Sequence, residues 1–195
     1  MTRSVRATLP ERKRVLPGDG LIPDAIGALT HAITINRSPR DVWPWLAQMG
    51  AGNRAGWYSY DRIDNGGRKS ADCIVPAWQD IQVGTLFAAL PGESEGFHVL
   101  RFEPEYFLLL GVVPRSMNAP LVTWAFVLDE VGPHCTRLIV RARAGRDYRF
   151  KGLLPALGLP LVRLTHFVMQ RKQLLGIAMR AEARPPARDA NGKAA

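Results

Sequence analysis

Cysteine is scarce in this chain: Cys73 and Cys135 are the only two in 195 residues. They lie far apart, with no CxxC and no Cys/His companion spacing, which excludes a disulfide framework and a zinc site on sequence grounds. No apolar run opens the chain, since it begins MTRSVRATLPERKR, so no secretory signal is expected. The longest greasy stretch, Leu153 to Met169, is interrupted by Pro155, Pro160, Arg163 and His166. It falls short of the ~20 uninterrupted apolar residues that span a bilayer. A cytoplasmic protein with reduced thiols is the expectation.

Acidic residues are also few, 17 against 26 lysines and arginines, for a net charge of +9. The excess is not a nucleic-acid signature, because it is concentrated at the ends. Residues 1–14 carry five basic groups against Glu11, and residues 180–195 carry four against Glu182 and Asp189. That leaves +3 for the body. Specific nucleic-acid binding is not expected; the tails offer weak contact with anionic surfaces. The composition reads as a basic, partly disordered arm over 1–29, one folded domain over 30–182 and a disordered tail over 183–195.

What is present is a procession of short strands. His31 to Asn36 has the β-branched alternation of a first strand. A helix follows, with Ser38 as N-cap, Pro39 at its first position, Asp41 three residues past the cap, and Pro44 keeping it short or kinked. GAGNRAG (50–56) has a glycine-loop look, but its spacing is G-x-G-x-x-x-G and it follows a helix, so it reads as a flexible linker. GWYSYDRIDN (56–65) places Trp57, Tyr60, Asp61 and Asp64 on one side of a second short helix. Strands are then expected over 85–90, 97–102, 107–113, 123–128 and 136–144, separated by turn-formers at the spacing of an antiparallel meander. No helix intervenes, which excludes a parallel βαβ layout. The last element is a long helix over 159–182. Its apolar stripe, Leu161, Leu164, Val168, Leu175 and Met179, is expected to lie on the sheet, with Arg163, His166, Gln170, Gln173 and Arg180 opposite.

The stretches SPRDVWPWLAQMG, GWYSYD, SADCIVPAWQDIQVG, TWAFVL, TRLIVRARA and MQRKQLLGIAMRAEA resemble bacterial members of the START-like, or SRPBCC, superfamily. That superfamily includes polyketide cyclase/dehydrase relatives, lipid-transfer domains and the birch-pollen allergen group. The resemblance covers about residues 30–182 and implies an α+β helix-grip fold: a curved antiparallel sheet, two short helices and a long C-terminal helix. It also implies a cavity between sheet and helix for a small hydrophobic or amphipathic molecule. It names no ligand and no cofactor, and carries no catalytic residue across, because the superfamily contains binders and enzymes alike.

The candidate cavity wall is Trp57, Tyr58, Tyr60, Trp78, Trp124, Leu164, Val168 and Arg171. Tyr hydroxyls and Trp N–H groups can orient a ligand's polar atoms. Arg171 interrupts the apolar stripe. It reads either as the ion-pair partner of Asp61 or Asp64, or snorkelling, or as an anchor for a ligand carboxylate or phosphate. Asp61 and Asp64 are weak candidates for proton transfer, with a Tyr, in a cyclase- or dehydratase-like enzyme. His98, between Phe97 and Val99, is a candidate inward-pointing side chain, and Arg137, Arg141, Arg143, Arg146, Arg149 and Lys151 read as a solvated basic face.

Overall fold

The structure, a computed structural model, describes residues 3–92, 96–114, 119–148 and 155–183, with side chains in the last stretch from residue 163 onward. The expected 183–195 tail lies outside the described residues beyond Ala183, as do Arg149 and Lys151 and the side chain of Leu161. Among the described residues no helix is long and apolar enough to cross a membrane.

Six antiparallel strands form one sheet: β1 (Gly27–Ile35), β2 (Leu86–Ala88), β3 (Gly96–Glu103), β4 (Phe107–Val112), β5 (Val122–Gly132) and β6 (Cys135–Ala144). Their order is β1-β6-β5-β4-β3-β2, so the meander from β2 to β6 closes back on the first strand. Strand alternation gives the sheet two apolar faces. Ile33, Ile35, Leu138, Val140, Phe126, Leu128, Leu108, Leu110 and Val99 belong to one cluster; Ala32, Ile139, Ala125, Val127, Phe107 and Leu109 belong to another.

The first face is covered by helices. α2 (Pro39–Ala47) begins at the expected Ser38 cap, whose hydroxyl accepts from the Asp41 N–H, and buries Val42, Trp45 and Leu46. α3 (Asp61–Asp64) is only four residues long, so Trp57 precedes it rather than sharing its face as expected. α4 (Pro155–Ala183) lies along β1 and against α2, completing the helix-grip architecture. At Gly176 a Cβ would come within 2.3 Å of the Tyr58 carbonyl oxygen, so glycine sets how closely α4 approaches the 57–59 segment.

The other face explains the N-terminal arm, which the composition reads as partly disordered and which instead is built. α1 (Leu9–Lys13) starts in a capping box between Thr8 and Glu11. Leu16 packs into the second apolar cluster, and Gly18, at φ +87°, presses so close to Leu109 that a Cβ would meet its methyl at 2.5 Å. Backbone contact of Arg6 with His31, and of Val5 with Ala32, extends the sheet past β1 and covers its edge.

The basic residues of β6 are the arm's fasteners rather than a solvated face. Arg141 is 4% exposed and bonds Asp19 at 2.6 Å, the Thr30 hydroxyl at 3.0 Å, and the carbonyls of Glu11, Arg12 and Arg14 at 2.8 to 3.0 Å. Arg137 holds the Glu11 carboxylate at 2.7 Å, and that bond draws the Glu11 pKa down to about 2. The arm's carboxylates Glu11 and Asp19 therefore neutralise arginines of β6, pairings that a count along the chain does not reveal.

The 50–56 loop, expected to be a loose linker, is tied as well. Gly50 and Gly56 pair backbone to backbone, and Arg54 donates to the carbonyls of Met49, Ala47 and Trp78 while stacking on Phe87. The Ala47 carbonyl belongs to the last residue of α2, where helix geometry leaves acceptors unused, and Met49 follows just past its end.

Replacing Arg141 with Ala removes the closest cation from Asp19, which keeps the Leu16 N–H and the more distant Arg143, and takes the guanidinium from three arm carbonyls; it is expected to cost about 3 kcal/mol. Urea melts measure the loss. Limited trypsin digestion should then cut faster after Arg12, Lys13 or Arg14, whose side chains are exposed but whose backbone is held by α1 and by the Arg141 bonds.

Candidate functional site

On the helix-covered face, toward the first half of α4, packing changes from aliphatic to aromatic and polar. Trp124 on β5 is the centre. Its ring lies 5.4 Å from Trp57, stacked at 28°, 5.1 Å from Phe97 and 4.9 Å from Phe126. The Trp57 N–H is used by the carbonyls of Ala88 and Ala89. The Trp124 N–H donates to Gln170 Oε1 at 3.0 Å, Gln170 Nε2 donates to Gln173 Oε1 at 2.8 Å, and Gln173 Nε2 reaches Met49 Sδ at 3.6 Å. This chain of amides crosses from sheet to helix to α2 through the interior.

Two imidazoles complete the group. His31 of β1 and His166 of α4 have ring centroids 5.7 Å apart; Phe167 lies 5.7 Å from His31, and Trp124 lies 6.3 Å from His166. Each imidazole has a buried Nδ1 with no hydrogen-bond partner among the described residues. Burial lowers both pKa values, and the neighbouring His31 adds to the effect on His166, which falls to about 4. Both rings are therefore neutral at neutral pH, each with one lone pair and one N–H. The strand alternation that puts His31 beside Ile33 and Ile35 puts His98, between Phe97 and Val99, on the opposite face, so it does not join this group.

α4 presents a different side to the sheet from the one its apolar stripe suggests. Leu164, Val168 and Met179 are 64%, 41% and 62% exposed, whereas Gln170, Gln173, Leu174, Ile177, Ala178 and Ala181 are buried. Leu164 and Val168 are thus on the outer side of the helix and do not line its inner face. Arg171 lies between Val168 and Leu175 on that same outer side, and among the described residues it forms no ion pair with Asp61 or Asp64. Helix geometry offers a competing register: residues 166, 170, 173, 174, 177, 178 and 181 also share one face. That register has fewer large apolar side chains but small ones, Ala178 and Ala181, where β1 and α2 come close.

Of the other candidate wall residues, Trp57, Trp124 and the partly buried Trp78 belong to or pack against the main apolar cluster. Tyr58 is buried beneath α4, its hydroxyl accepting from Gln48 Nε2 at 3.0 Å and its ring carrying the Arg180 guanidinium; burial raises its pKa. Tyr60 is 40% exposed.

Asp61 accepts from the backbone N–H of Ser70 at 3.0 Å and from its hydroxyl at 2.5 Å, so its carboxylate closes the 61–70 loop. It also borders a cleft of about 150 Å³ shared with Tyr58, Ser59, Ser70, Lys172, Gly176, Met179 and Arg180. Asp64 is buried, and among the described residues neither carboxylate oxygen has a well-aligned hydrogen-bond partner; the Ser59 hydroxyl donates to the Met169 carbonyl. Burial, and then the charge of Asp61, raise the Asp64 pKa.

No protein-family model and no curated protein sequence matches the chain. Similar solved structures include norcoclaurine synthase from Thalictrum flavum, at 11% identity and TM-score 0.45, covering 94% of this chain and 100% of that one. The ZhuI aromatase/cyclase from Streptomyces sp. R1128 is similar at 14% identity and TM-score 0.40, over 81% of this chain and 94% of the other. A conserved protein of unknown function from Enterococcus faecalis is similar at 15% identity and TM-score 0.39, over 76% and 71%.

The two imidazoles make stability depend on pH with a definite sign. A histidine whose folded pKa lies below its unfolded value binds fewer protons when folded, so stability is complete above about 6.5 and is lost as pH falls. For His166, with a folded value of about 4, the loss between pH 7 and pH 5 is about 2 kcal/mol. Denaturant melts at the two pH values should show this drop in the native protein and a smaller one in His166→Phe.

Proposed function

We propose that the chain binds a small hydrophobic or amphipathic molecule carrying a hydrogen-bonding group, held against Trp124, Trp57 and Phe97 and addressed by His31 and His166. One observation carries this reading: two buried imidazole nitrogens lie unpaired inside an aromatic setting. A buried polar atom without a partner costs about 1–3 kcal/mol. Two of them 5.7 Å apart by ring centroid are supported by a ligand hydroxyl or carbonyl that satisfies them. The side chains surrounding them are flat and apolar, which suits a ring system better than a flexible chain. Arg171 and the outward Leu164 and Val168 have no part in this site.

Anilinonaphthalene sulfonate, an amphipathic aromatic probe, tests the reading by fluorescence titration, and native mass spectrometry of the freshly purified protein tests it without a probe. Binding is expected to weaken about tenfold in Trp124→Ala, the scale of a lost aromatic contact. A protein that neither enhances the probe's fluorescence nor carries a co-purified mass is not a ligand binder of this kind.

A second reading, cyclase- or dehydratase-like proton transfer, is supported by Asp64. Burial raises the Asp64 pKa, and an apolar setting of this kind moves a carboxyl group toward the range in which it serves as a general acid. Asp61, already engaged by Ser70, then acts by raising the Asp64 pKa rather than by touching a ligand. On this reading the protein accelerates exchange of the α-protons of cyclohexanone in deuterated water, followed by NMR, and Asp64→Asn abolishes the acceleration. Exchange at the buffer rate in the native protein eliminates it.

A further inference from the structure

The outer side of α4 carries an apolar ridge left uncovered among the described residues. Leu164, Val168 and Met179 recur at helical spacing, 64%, 41% and 62% exposed, with Phe167, 42% exposed, at the flank and Leu175 partly buried against the core at the inner edge. The buried residues Gln170, Gln173 and Ile177 occupy the opposite side, so the helix is apolar where it meets solvent and partly polar where it meets the sheet. The reverse is usual for a helix that serves only to cover a core.

The ridge is embedded in positive charge. Arg171 and Lys172 lie within it, and Arg163 is exposed at its N-terminal end. The cleft joining Asp61 and Ser70 to Lys172 and Met179 brings the 61–70 loop alongside, with exposed Arg62, Arg68 and Lys69 and with Ile63 63% exposed. The acidic groups nearby are occupied or remote from solvent: Asp61 holds Ser70, Asp64 is buried, and Glu182 pairs with Arg3 at 2.8 Å. Asp72 is the exposed exception, just beyond Ser70.

From this the geometry points to the outer face of α4, with the 61–70 loop, as a docking surface for an anionic phospholipid bilayer. Large apolar side chains enter the headgroup boundary while the surrounding cations meet lipid phosphates, the arrangement of helices that lie in a membrane interface. A second copy of the chain is disfavoured by charge. Arg171 and Lys172 sit at the midpoint of Leu164–Met179, so a two-fold antiparallel pairing of ridges would set these cations against their own copies. The 184–195 segment is a poor cover, because it consists of Arg, Pro, Ala, Asp, Asn, Gly and Lys and has no large apolar side chain. The proposal does not depend on what, if anything, occupies the interior.

Vesicle co-sedimentation of the full chain tests it, with phosphatidylcholine alone and with roughly one-third phosphatidylglycerol. Binding is expected only to the anionic vesicles. It should weaken about fivefold per positive charge removed in Arg171→Gln and Lys172→Gln, and be lost in Leu164→Glu/Val168→Glu. Leu164, Val168 and Lys172 are exposed and Arg171 is half-buried on the same outer side, so circular dichroism should show an unchanged fold in every variant. The proposal is overturned if neither vesicle binds. It is equally overturned if Leu164→Glu/Val168→Glu binds as the native chain does, which would leave the basic termini responsible. A dimer in analytical ultracentrifugation that the same double substitution dissociates would also overturn it, by making the ridge a self-interface.

Discussion

A sheet that is apolar on both faces cannot stand in water, and everything else in this protein follows from covering it twice. Each fully buried Leu, Ile or Phe side chain contributes roughly 1.5–3 kcal/mol, and among the described residues the strands carry eleven of them. α2 and α4 close one face. The other is closed by a segment containing only a five-residue helix and a few turns, held by charge more than by apolar area.

That second closure makes the N-terminal arm part of the domain. Arg141 gathers Asp19, Thr30 and three carbonyls of the arm, and Arg137 and Arg14 add pairs with Glu11 and Asp129. A strand residue pointing away from the helices would ordinarily meet solvent, where arginine is at home. Here the same side chains are buried beneath the arm and satisfied one bond at a time, as a buried guanidinium requires. The consequence for function is geometric: with the rear face sealed, the sheet has one side left on which to build a site.

On that side the interior is divided along α4. Near its C-terminal end small side chains let the helix sit tightly, and Ile177, Ala178 and Ala181 join the aliphatic core with Ile33, Ile35 and Leu46. Toward its N-terminal half the contacts become His166, Gln170 and Gln173 against Trp124 and His31. Amide groups satisfied in series can be buried at little net cost, whereas the unpaired imidazole nitrogens cannot. The same rotation of the helix that turns these polar groups inward turns Leu164, Val168 and Met179 outward, so the interior site and the exposed ridge are two results of one choice of helix face.

The strands, their antiparallel order, the Ser38 cap and the long last helix were legible in the sequence, because they depend on local periodicity and turn chemistry: β-branched alternation, glycine and proline at the turns, a serine ahead of a proline. Trp57 and Trp124 could be singled out as large aromatics, the first on an expected short helix and the second on an expected strand. What the sequence left open was every question about which face meets which. Residues 161–179 offer two stripes a helix could bury, and the greasier one, on Leu164 and Val168, is not the one used. The tertiary structure selects the other: Leu174, Ile177, Ala178 and Ala181 fill the core beside β1 and α2, and Trp124 supplies a donor that Gln170 can accept. Arg141 was decided in the same way: an arginine alternating with leucine and valine announces an outward side chain, but only the path of a distant segment determines whether outward means water or protein.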